Sequence, residues 1–369
     1  MKIKKSIKPG KQIAFPVCKK NCPATPSTPV RFAIAGLNHG HVDWWFKRPA
    51  RNDMQLVGIS EPDRELTERF SAKHSLDRKL FHSDIGTMLD TIRPSAVMAF
   101  GSTFDHLAIV QACAPRGIHV MVEKPLAVNG AHAAKIAALA RRHHIHALTN
   151  YETTWYASNH EAYRLVKERR LASELRKIVV HDGHCGPKEL GCTPEFLAWL
   201  TDPVLNGGGA IMDFGCYGAN LITWLMDGAT PLSVTAVTQQ IKPEIYPEVD
   251  DDATIVLTYP RMQGIIQASW NWPWHRKDME IYGATGAVHA VSRTTLRIRE
   301  GLNSDERTET LPQHRNTPFD DVFSYFAAVL RGDLSPSAND LSGLENNLVV
   351  MKILDTARES ARLHRTVNL

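Results

Sequence analysis

The stretch VRFAIAGLNHGH, residues 30 to 41, decides the fold class that we predict for this chain of 369 residues. Its first half is mostly apolar and extended in character, which indicates a buried β-strand. Its second half is a glycine-containing turn that opens a helix. Three similar runs follow with helical segments between them, namely MQLVGISE, PSAVMAFG and IHVMVEKP. Strand, helix and strand in repetition predict a parallel sheet with crossover helices, which we expect to span residues 30–150.

The turn after the first strand partly matches the G-x-G-x-x-G pattern of dinucleotide-binding domains. Gly36 occupies the first glycine position, whereas Asn38 and His41 occupy the other two and Gly40 is displaced by one. Asparagine tolerates the left-handed backbone conformation better than most residues, so a tight turn is still expected. Glu61 follows 25 residues after Gly36, near the spacing at which an acid bonds the ribose hydroxyls of adenosine. By itself, the pattern is also compatible with an ordinary strand-to-helix turn.

The second half of the chain follows a different pattern. A helix around SNHEAYRLVKERRL, a strand LRKIVVHDG and a helix with Asp213 and Tyr217 come first. Five extended runs joined by short turns come next, namely LSVTAVTQQ, DATIVLTYP, QGIIQASWNW, MEIYGATGAVHAV and TTLRIRE. Consecutive strands with short connections indicate an antiparallel sheet. We therefore predict an α+β domain over residues 151–369.

Composition and charge limit the possible functions. No apolar run approaches the roughly 18 residues of a membrane helix, and six cysteines in a chain of this length indicate no disulfide framework. The first 29 residues contain seven lysines and no acid, and subtracting this charge from the overall +4 leaves −3 for the rest. A nucleic-acid-binding surface on the folded body is therefore not expected.

Residues 1–29 are expected to form a disordered basic tail. The alternatives are the remnant of an export signal, whose short apolar core IAFPVC is interrupted by a proline, and a misassigned start. We therefore expect a cytoplasmic protein, with export as the alternative.

The stretch DFGCY, residues 213 to 217, places a carboxylate and a phenol four residues apart, on one face of a helix. From this stretch alone, Asp213 is interpreted as an acid that stabilises the start of a helix, and Tyr217 as an aromatic residue packed in the core. The alternative is that the two side chains handle a proton.

The segment HDGHC contains His181, His184 and Cys185 and therefore has a metal-like composition. Zinc sites usually contain two spaced pairs of ligands, and only one pair is present here. We predict no metal and interpret these residues as the end of a strand.

Four segments resemble, in the right order, signatures of the Gfo/Idh/MocA family of nicotinamide-dependent oxidoreductases. They are VMVEKPLAV, NGGGAIMDFGCYG, VDDDATIVLTYP and ARESARLHRTVNL, and the resemblance covers residues 30–369. It implies an α/β fold with an N-terminal Rossmann domain, a doubly wound parallel sheet that binds NAD or NADP. It also implies a C-terminal α+β domain whose open, mainly antiparallel sheet often mediates oligomers. We therefore expect a homodimer or a homotetramer.

The resemblance assigns roles to single residues. Lys124, in the E-K-P motif, is expected to contact cofactor and substrate, and its bond to Pro125 is expected to be cis. Most members have histidine four residues after Asp213, whereas this chain has Tyr217. That variant is similar to glucose–fructose oxidoreductase and dimeric dihydrodiol dehydrogenase, in which the tyrosine serves as acid or base.

These residues permit hydride chemistry. Moving a hydride from a carbinol carbon to nicotinamide leaves a hydroxyl proton that must reach a base within hydrogen-bond distance. We expect Tyr217 to be that base, with the nearby ammonium of Lys124 lowering its pKa from the free value of about 10. Asp213 is expected to orient Lys124 or to bind a neighbouring hydroxyl of the substrate.

Further residues complete the predicted site. The cofactor is expected to contact Gly36, Asn38, His39, Gly40, His41, Glu61, Glu123 and Lys124. The substrate is expected to contact Trp44, Trp155 and His184, with core packing as an equal alternative for Trp44. The stretch NYETTW, residues 150 to 155, lacks the arginine that is usual in the family, which argues against an acidic or phosphorylated substrate.

The sequence thus predicts an NAD(P)-dependent dehydrogenase acting on a secondary hydroxyl of a carbohydrate or polyol. NAD is expected to bind better than NADP because Glu61 would repel a 2′-phosphate. The alternative is that Arg64, a nearby cation, turns toward the phosphate and favours NADP. Two alternatives use the same residues. One is a redox glycosidase that oxidises a sugar, eliminates the aglycone, adds water and reduces again. The other is a nucleotide- or sugar-binding protein without turnover.

Overall fold

The computed structural model describes residues 28–47 and 51–369. The predicted basic tail lies outside these ranges except for its last two residues, so the choice between cytoplasm and export stays a prediction. Within the described ranges, no helix combines the length and the apolar composition that crossing a membrane requires.

The first domain is built on a six-stranded parallel sheet in the order β3-β2-β1-β4-β5-β6. Its strands are β1 (Val30–Ala35), β2 (Met54–Ser60), β3 (Phe81–His82), β4 (Ala96–Ala99), β5 (His119–Glu123) and β6 (Ala147–Asn150). The helices between them are α1 (Asp43–Phe46), α2 (Arg64–His74), α3 (Ile85–Ile92), α4 (Asp105–Cys113) and α5 (Gly130–Arg142). The predicted parallel sheet with crossover helices is confirmed. The sequence pattern did not show β3 and β6, which are short and lie at the edges.

The second domain contains a nine-stranded sheet in the order β14-β13-β12-β11-β7-β10-β9-β8-β15. Its strands are β7 (Leu175–Gly183), β8 (Ser233–Gln239), β9 (Asp252–Thr258), β10 (Gln263–Ser269), β11 (Arg276–Gly283), β12 (Gly286–Ala290), β13 (Thr295–Glu300), β14 (Arg307–Thr310) and β15 (Val367–Asn368). The helices of this part of the chain are α6 (Ala157–Tyr163), α7 (Pro194–Leu200), α8 (Ala210–Asp213), α9 (Gly215–Leu225), α10 (Val322–Leu330) and α11 (Leu344–Leu363). Among the described strands of this sheet, only β7 and β10 pair in parallel, so the predicted, mainly antiparallel sheet is confirmed.

Helix α9 lies at the centre of the second domain. All its residues are buried, because the sheet packs on one side of it and α11 on another. Gly218 permits the close approach to the sheet, since a β-carbon there would lie 2.5 Å from the side chain of Ile266. Strands β9 and β10 alternate buried with more exposed residues, so the other face of the sheet is open.

The helix predicted to contain both Asp213 and Tyr217 is divided in two. Helix α8 ends at Asp213 and α9 begins at Gly215, with Phe214 between them. The backbone N–H of Tyr217 bonds the carbonyl of Phe214 at 3.1 Å, which is a tighter turn than an α-helix makes. The expectation of one regular helix face is therefore wrong. Similarly, the long helix predicted around residue 163 is α6 followed by a short π-helical segment, residues 164–168.

The chain returns to the first domain near its end. Phe323 and Phe326 of α10 are fully buried in the same apolar core as Phe32 and Ile34 of β1. Trp45 adds an edge-to-face contact with Phe323 at 5.2 Å between ring centroids. A boundary at residue 150 therefore does not separate the two domains completely.

The turn after β1 lies where ligands bind in sheets of this topology. Strand β1 is paired with β2 on one side and β4 on the other, so the strand order reverses there and opens a crevice. Gly36 begins the turn with a φ of +83°, and a β-carbon there would lie 2.7 Å from the backbone of Gly101. Both the conformation and the space require glycine at this position.

We expect Gly36→Ala to destabilise the first domain, because alanine costs about 1–2 kcal/mol in the left-handed region before any clash with Gly101. Gly40→Ala is the matched control, since a β-carbon at Gly40 meets nothing within 4 Å. Thermal unfolding of both variants measures the difference. Equal melting temperatures for the two variants would contradict the described conformation of the turn.

Candidate active site

A cavity of about 1090 Å³ lies between the turn after β1 and the second sheet. Its walls include His39 to His41 from the turn and Lys124 after β5. The other domain contributes Asp213 and Tyr217 from the divided helix, together with side chains of β11 and of the β12–β13 connection. The structure thus brings the three predicted catalytic residues to one cavity.

Lys124 and Asp213 form a buried ion pair that joins the two domains. The Lys124 ammonium donates to a carboxylate oxygen of Asp213 and, at 3.0 Å, to its backbone carbonyl. The second carboxylate oxygen accepts a hydrogen bond from the Trp270 indole at 2.9 Å. Burial opposes both charges, but the mutual attraction prevails, so the pKa of Lys124 is raised and that of Asp213 is lowered. Both groups are therefore charged at neutral pH. The Lys124–Pro125 bond is cis.

Tyr217 is 1% exposed, and its hydroxyl has a different neighbour from the one expected. Lys277 donates to it at 3.5 Å. The Lys124 ammonium instead lies over the tyrosine ring, 5.3 Å from the centroid, and is held by Asp213. Burial, followed by the negative charge of Glu152, raises the pKa of Tyr217 well above its ordinary value. The expected lowering of this pKa by Lys124 is therefore wrong.

Lys277 belongs to a chain of contacts that sequence reasoning missed. Its ammonium pairs with Glu152 at 2.5 Å, and the other oxygen of Glu152 accepts a hydrogen bond from Tyr156 at 2.8 Å. Burial disfavours the Glu152 carboxylate, but Lys277 and Tyr156 lower its pKa to about 2. No local motif marks Lys277, because only the register of β11 in the sheet brings it beside Tyr217.

Asp182 is a second buried group that the sequence did not identify. It lies opposite Lys277 in the register of β7 and β11 and is 1% exposed. Neither carboxyl oxygen has a hydrogen-bond partner among the described residues. Burial raises its pKa well above the ordinary value and so favours the neutral acid.

The turn after β1 fits a dinucleotide. The side-chain oxygen of Asn38 and Nε2 of His39 are buried and have no partner in the described part of the chain. Open space lies beside Gly40. Glu61 is buried next to the turn and accepts hydrogen bonds from the backbone N–H groups of Leu37 at 2.8 Å and Asp63 at 2.9 Å. Burial raises the pKa of Glu61.

The glutamate of the E-K-P motif holds the turn to the sheet. Glu123 contacts the His41 ring nitrogen Nδ1 at 2.9 Å and accepts a hydrogen bond from Asn150 at 2.8 Å. Although burial opposes its charge, His41 and Asn150 lower its pKa to about 2. The ligand atoms of His39, His41 and Glu123 lie within 4.8 Å of one another, but His41 and Glu123 already satisfy each other.

The residues of the metal-like segment do not form one group. His181 contacts Asp278 at 3.1 Å, and these two residues and Glu280 bring their ligand atoms within 4.8 Å of one another. His184 and Cys185 belong to neither of the two potential ligand groups among the described residues. The absence of a metal stays a prediction.

The three predicted substrate residues lie in different places. His184 lines the cavity, and its ring packs edge-on against Phe214 at 4.8 Å. Trp155 is buried in the core of the first domain, with its indole N–H bonded to Asn150 at 3.0 Å, so its assignment to the substrate is corrected. Trp44 stacks on His41 at 3.8 Å between centroids and is not part of the cavity wall. Its large apolar ring is used for packing.

Fold and site together define a two-domain, nucleotide-dependent oxidoreductase. The family model described as "Oxidoreductase family, NAD-binding Rossmann fold" matches residues 30–151, and the "GFO/IDH/MocA C-terminal domain" model matches residues 160–289. The chain belongs to the GFO/IDH/MocA family.

Two named relatives are similar over much of their length. D-xylose 1-dehydrogenase [NADP(+)] of Haloarcula marismortui is 24% identical over 364 residues, which covers 92% of this chain and 93% of the relative. Trans-1,2-dihydrobenzene-1,2-diol dehydrogenase of Sus scrofa is 26% identical over 222 residues, which is 60% of each chain.

Solved structures show the same fold at lower identity. Aldose-aldose oxidoreductase from Caulobacter crescentus, complexed with glycerol, has a TM-score of 0.73 at 22% identity, covering 92% of this chain and all of the other. An inositol dehydrogenase homolog from Azotobacter vinelandii, complexed with NAD+, has a TM-score of 0.79 at 17% identity, covering 93% and 98%.

We expect Asp182→Asn to become relatively more stable as the pH rises. In the unfolded chain the aspartate ionises above its ordinary pKa of 3.8, whereas burial in the folded protein raises this pKa and favours the protonated acid. Wild-type stability therefore falls with pH above about 4, by up to about 1.4 kcal/mol per pH unit, and asparagine removes this loss. Urea unfolding at pH 5 and pH 7 measures the difference between variant and wild type. The surface variant Asp305→Asn is the control. If the free energies of unfolding of Asp182→Asn and wild type differ by the same amount at pH 5 and pH 7, the pKa of Asp182 is not raised by folding.

Proposed function

We propose that the protein is an NAD-dependent dehydrogenase that transfers a hydride between a secondary hydroxyl of a sugar or polyol and nicotinamide. The observation that carries this proposal is the buried hydroxyl of Tyr217 in the cavity wall, beside Lys277 and the Lys124–Asp213 pair. The names of the relatives support it, because they describe dehydrogenases of a pentose and of a cyclic diol.

The chain's own residues explain the proton transfer. A bound nicotinamide would take up the hydride from the carbinol carbon. The proton of the hydroxyl then goes to Tyr217 as phenolate, and in the reverse direction the Tyr217 phenol returns it to the carbonyl oxygen. The ammonium of Lys277, 3.5 Å from that hydroxyl, favours the phenolate. Because burial raises the pKa of Tyr217, the phenol dominates at neutral pH and oxidation accelerates as the pH rises.

The buried pair of Lys124 and Asp213 has a different part in this proposal. Asp213 fixes the ammonium at the junction of the two domains, next to the Tyr217 ring. Lys124 is therefore placed to donate a hydrogen bond to the reacting oxygen, and it does not have to change its charge.

The described contacts also support a role for the turn in cofactor binding. The turn from Gly36 to His41 would hold the pyrophosphate, and Glu61 would accept hydrogen bonds from the adenosine ribose. Each oxygen of Glu61 already accepts one backbone N–H but retains a free lone pair. Arg64, the cation that would favour a 2′-phosphate, is exposed and bonded to Glu68 at 3.0 Å.

We also propose a homodimer or homotetramer as the functional assembly. The open face of the second sheet supports this proposal, because its side chains are only partly buried within one chain.

Tyr217→Phe is expected to lower kcat by roughly 10²–10⁴-fold while NAD binding changes little, because it removes the proton acceptor and almost no packing volume. Tyr151→Phe is the matched control. Tyr151 is also buried, it contacts the Tyr217 ring edge-on at 5.5 Å, and its hydroxyl bonds Asn347 rather than facing the cavity. Sugar-dependent NADH formation measures kcat, and calorimetry measures NAD binding. If kcat for Tyr217→Phe were within a few-fold of kcat for Tyr151→Phe, Tyr217 would not be the proton acceptor and its ring would serve only for packing.

NAD is expected to bind more tightly than NADP, because the Glu61 carboxylate accepts ribose hydroxyls and repels a 2′-phosphate. Glu61→Gln should narrow this preference, whereas the exposed Glu65→Gln should leave it unchanged. Calorimetric titration of the three proteins with both cofactors tests this. Similar affinities of the wild-type protein for NAD and NADP would contradict the assignment of Glu61.

A further inference from the structure

Most of the lysine and arginine side chains in the cavity wall form an ion pair with a carboxylate. Among the residues that the structure describes, five lysine and arginine side chains line the cavity, and four of them are paired. These pairs are Lys124 with Asp213, Lys277 with Glu152, Arg276 with Asp278, and Arg297 with Glu306. The fifth cation is Arg293.

Arg293 lies in the connection between β12 and β13, and its guanidinium is held over the ring of Tyr156, 5.1 Å from the centroid. Its Nε is buried and has no hydrogen-bond partner among residues 28–47 and 51–369. Across the same ranges, no carboxylate forms an ion pair with it. A guanidinium is always charged, so a partly buried donor without an acceptor is costly unless a ligand supplies one.

The contacts of Tyr156 connect Arg293 with the reacting centre. The Tyr156 hydroxyl donates to Glu152, and Glu152 pairs with Lys277, which in turn donates to Tyr217. All five of these residues line the cavity, so Arg293 and Tyr217 belong to one continuous wall.

We propose that Arg293 forms an anion subsite that binds the carboxylate of an acidic sugar, such as a uronic acid, while Tyr217 acts on one of its hydroxyls. This deepens the proposed function and rests on it. The planar fork of a guanidinium matches a carboxylate in a bidentate geometry. A single unpaired cation balances one negative charge, which favours a carboxylate over a phosphate dianion. The missing arginine in NYETTW argued against an acidic substrate, but the β12–β13 connection supplies an arginine from a distant part of the sequence.

The test compares matched sugars that differ only in the acid group. D-Glucuronate with D-glucose, and D-galacturonate with D-galactose, are assayed for NADH formation, and glucose 6-phosphate tests the phosphate. We expect kcat/KM for the acids to exceed that for the neutral sugars by roughly tenfold or more, as for hydrogen bonds to charged groups. Arg293→Gln should abolish this preference through KM, while Arg293→Lys should retain part of it. Arg299→Gln, on the exposed part of β13, is the control.

Binding is measured separately from turnover by calorimetric titration of each uronate into the protein with NADH present. Arg293-dependent binding supports the anion subsite even if no sugar yields NADH, in which case the proposed dehydrogenase function fails alone. Equal kcat/KM values for acids and neutral sugars, or an Arg293→Gln variant with unchanged preference, would overturn the subsite while leaving the dehydrogenase intact. A stronger preference for glucose 6-phosphate than for the uronates would overturn the carboxylate assignment.

Discussion

The buried ion pair between Lys124 and Asp213 is the interaction on which the site depends. It joins the end of β5 in the first domain to the end of α8 in the second, and Trp270 holds the carboxylate from the opposite side. Neither residue is more than 7% exposed, so removing one partner would leave an uncompensated buried charge, at a cost of roughly 3–5 kcal/mol. The pair therefore fixes where the parallel sheet meets α9, and with it the position of Tyr217 opposite the turn after β1.

The second part of the site is a group of charges arranged around the Tyr217 hydroxyl. Lys277 is the nearest ammonium, and Glu152 neutralises it, so the tyrosine is surrounded by matched charges rather than by a net positive field. Burial raises the pKa of Asp182, opposite Lys277 in the sheet, and so favours its neutral form. Because the neighbouring ammonium is neutralised, burial dominates and raises the pKa of Tyr217.

The sequence predicted those features that are encoded locally. The strand and turn at residues 30 to 41 have a short-range pattern from which the parallel sheet followed, and the resemblance of the E-K-P motif to the family signature indicated Lys124. Lys277 and Arg293 were missed because strand register and a loop conformation bring them to the cavity, and neither leaves a local signal. Trp155 was misassigned because an aromatic residue near a motif packs into a core as readily as it lines a cleft.

The most direct test of net hydride transfer is the balance between NADH formed and sugar consumed by the purified protein. With NAD and a free sugar or uronate at alkaline pH, where the Tyr217 phenolate is most populated, one NADH should form for each oxidised sugar. An aryl glycoside should be no better a substrate than the free sugar. Release of the aglycone with only trace NAD, no accumulation of NADH and deuterium from the solvent in the product would contradict this and would identify a redox glycosidase instead.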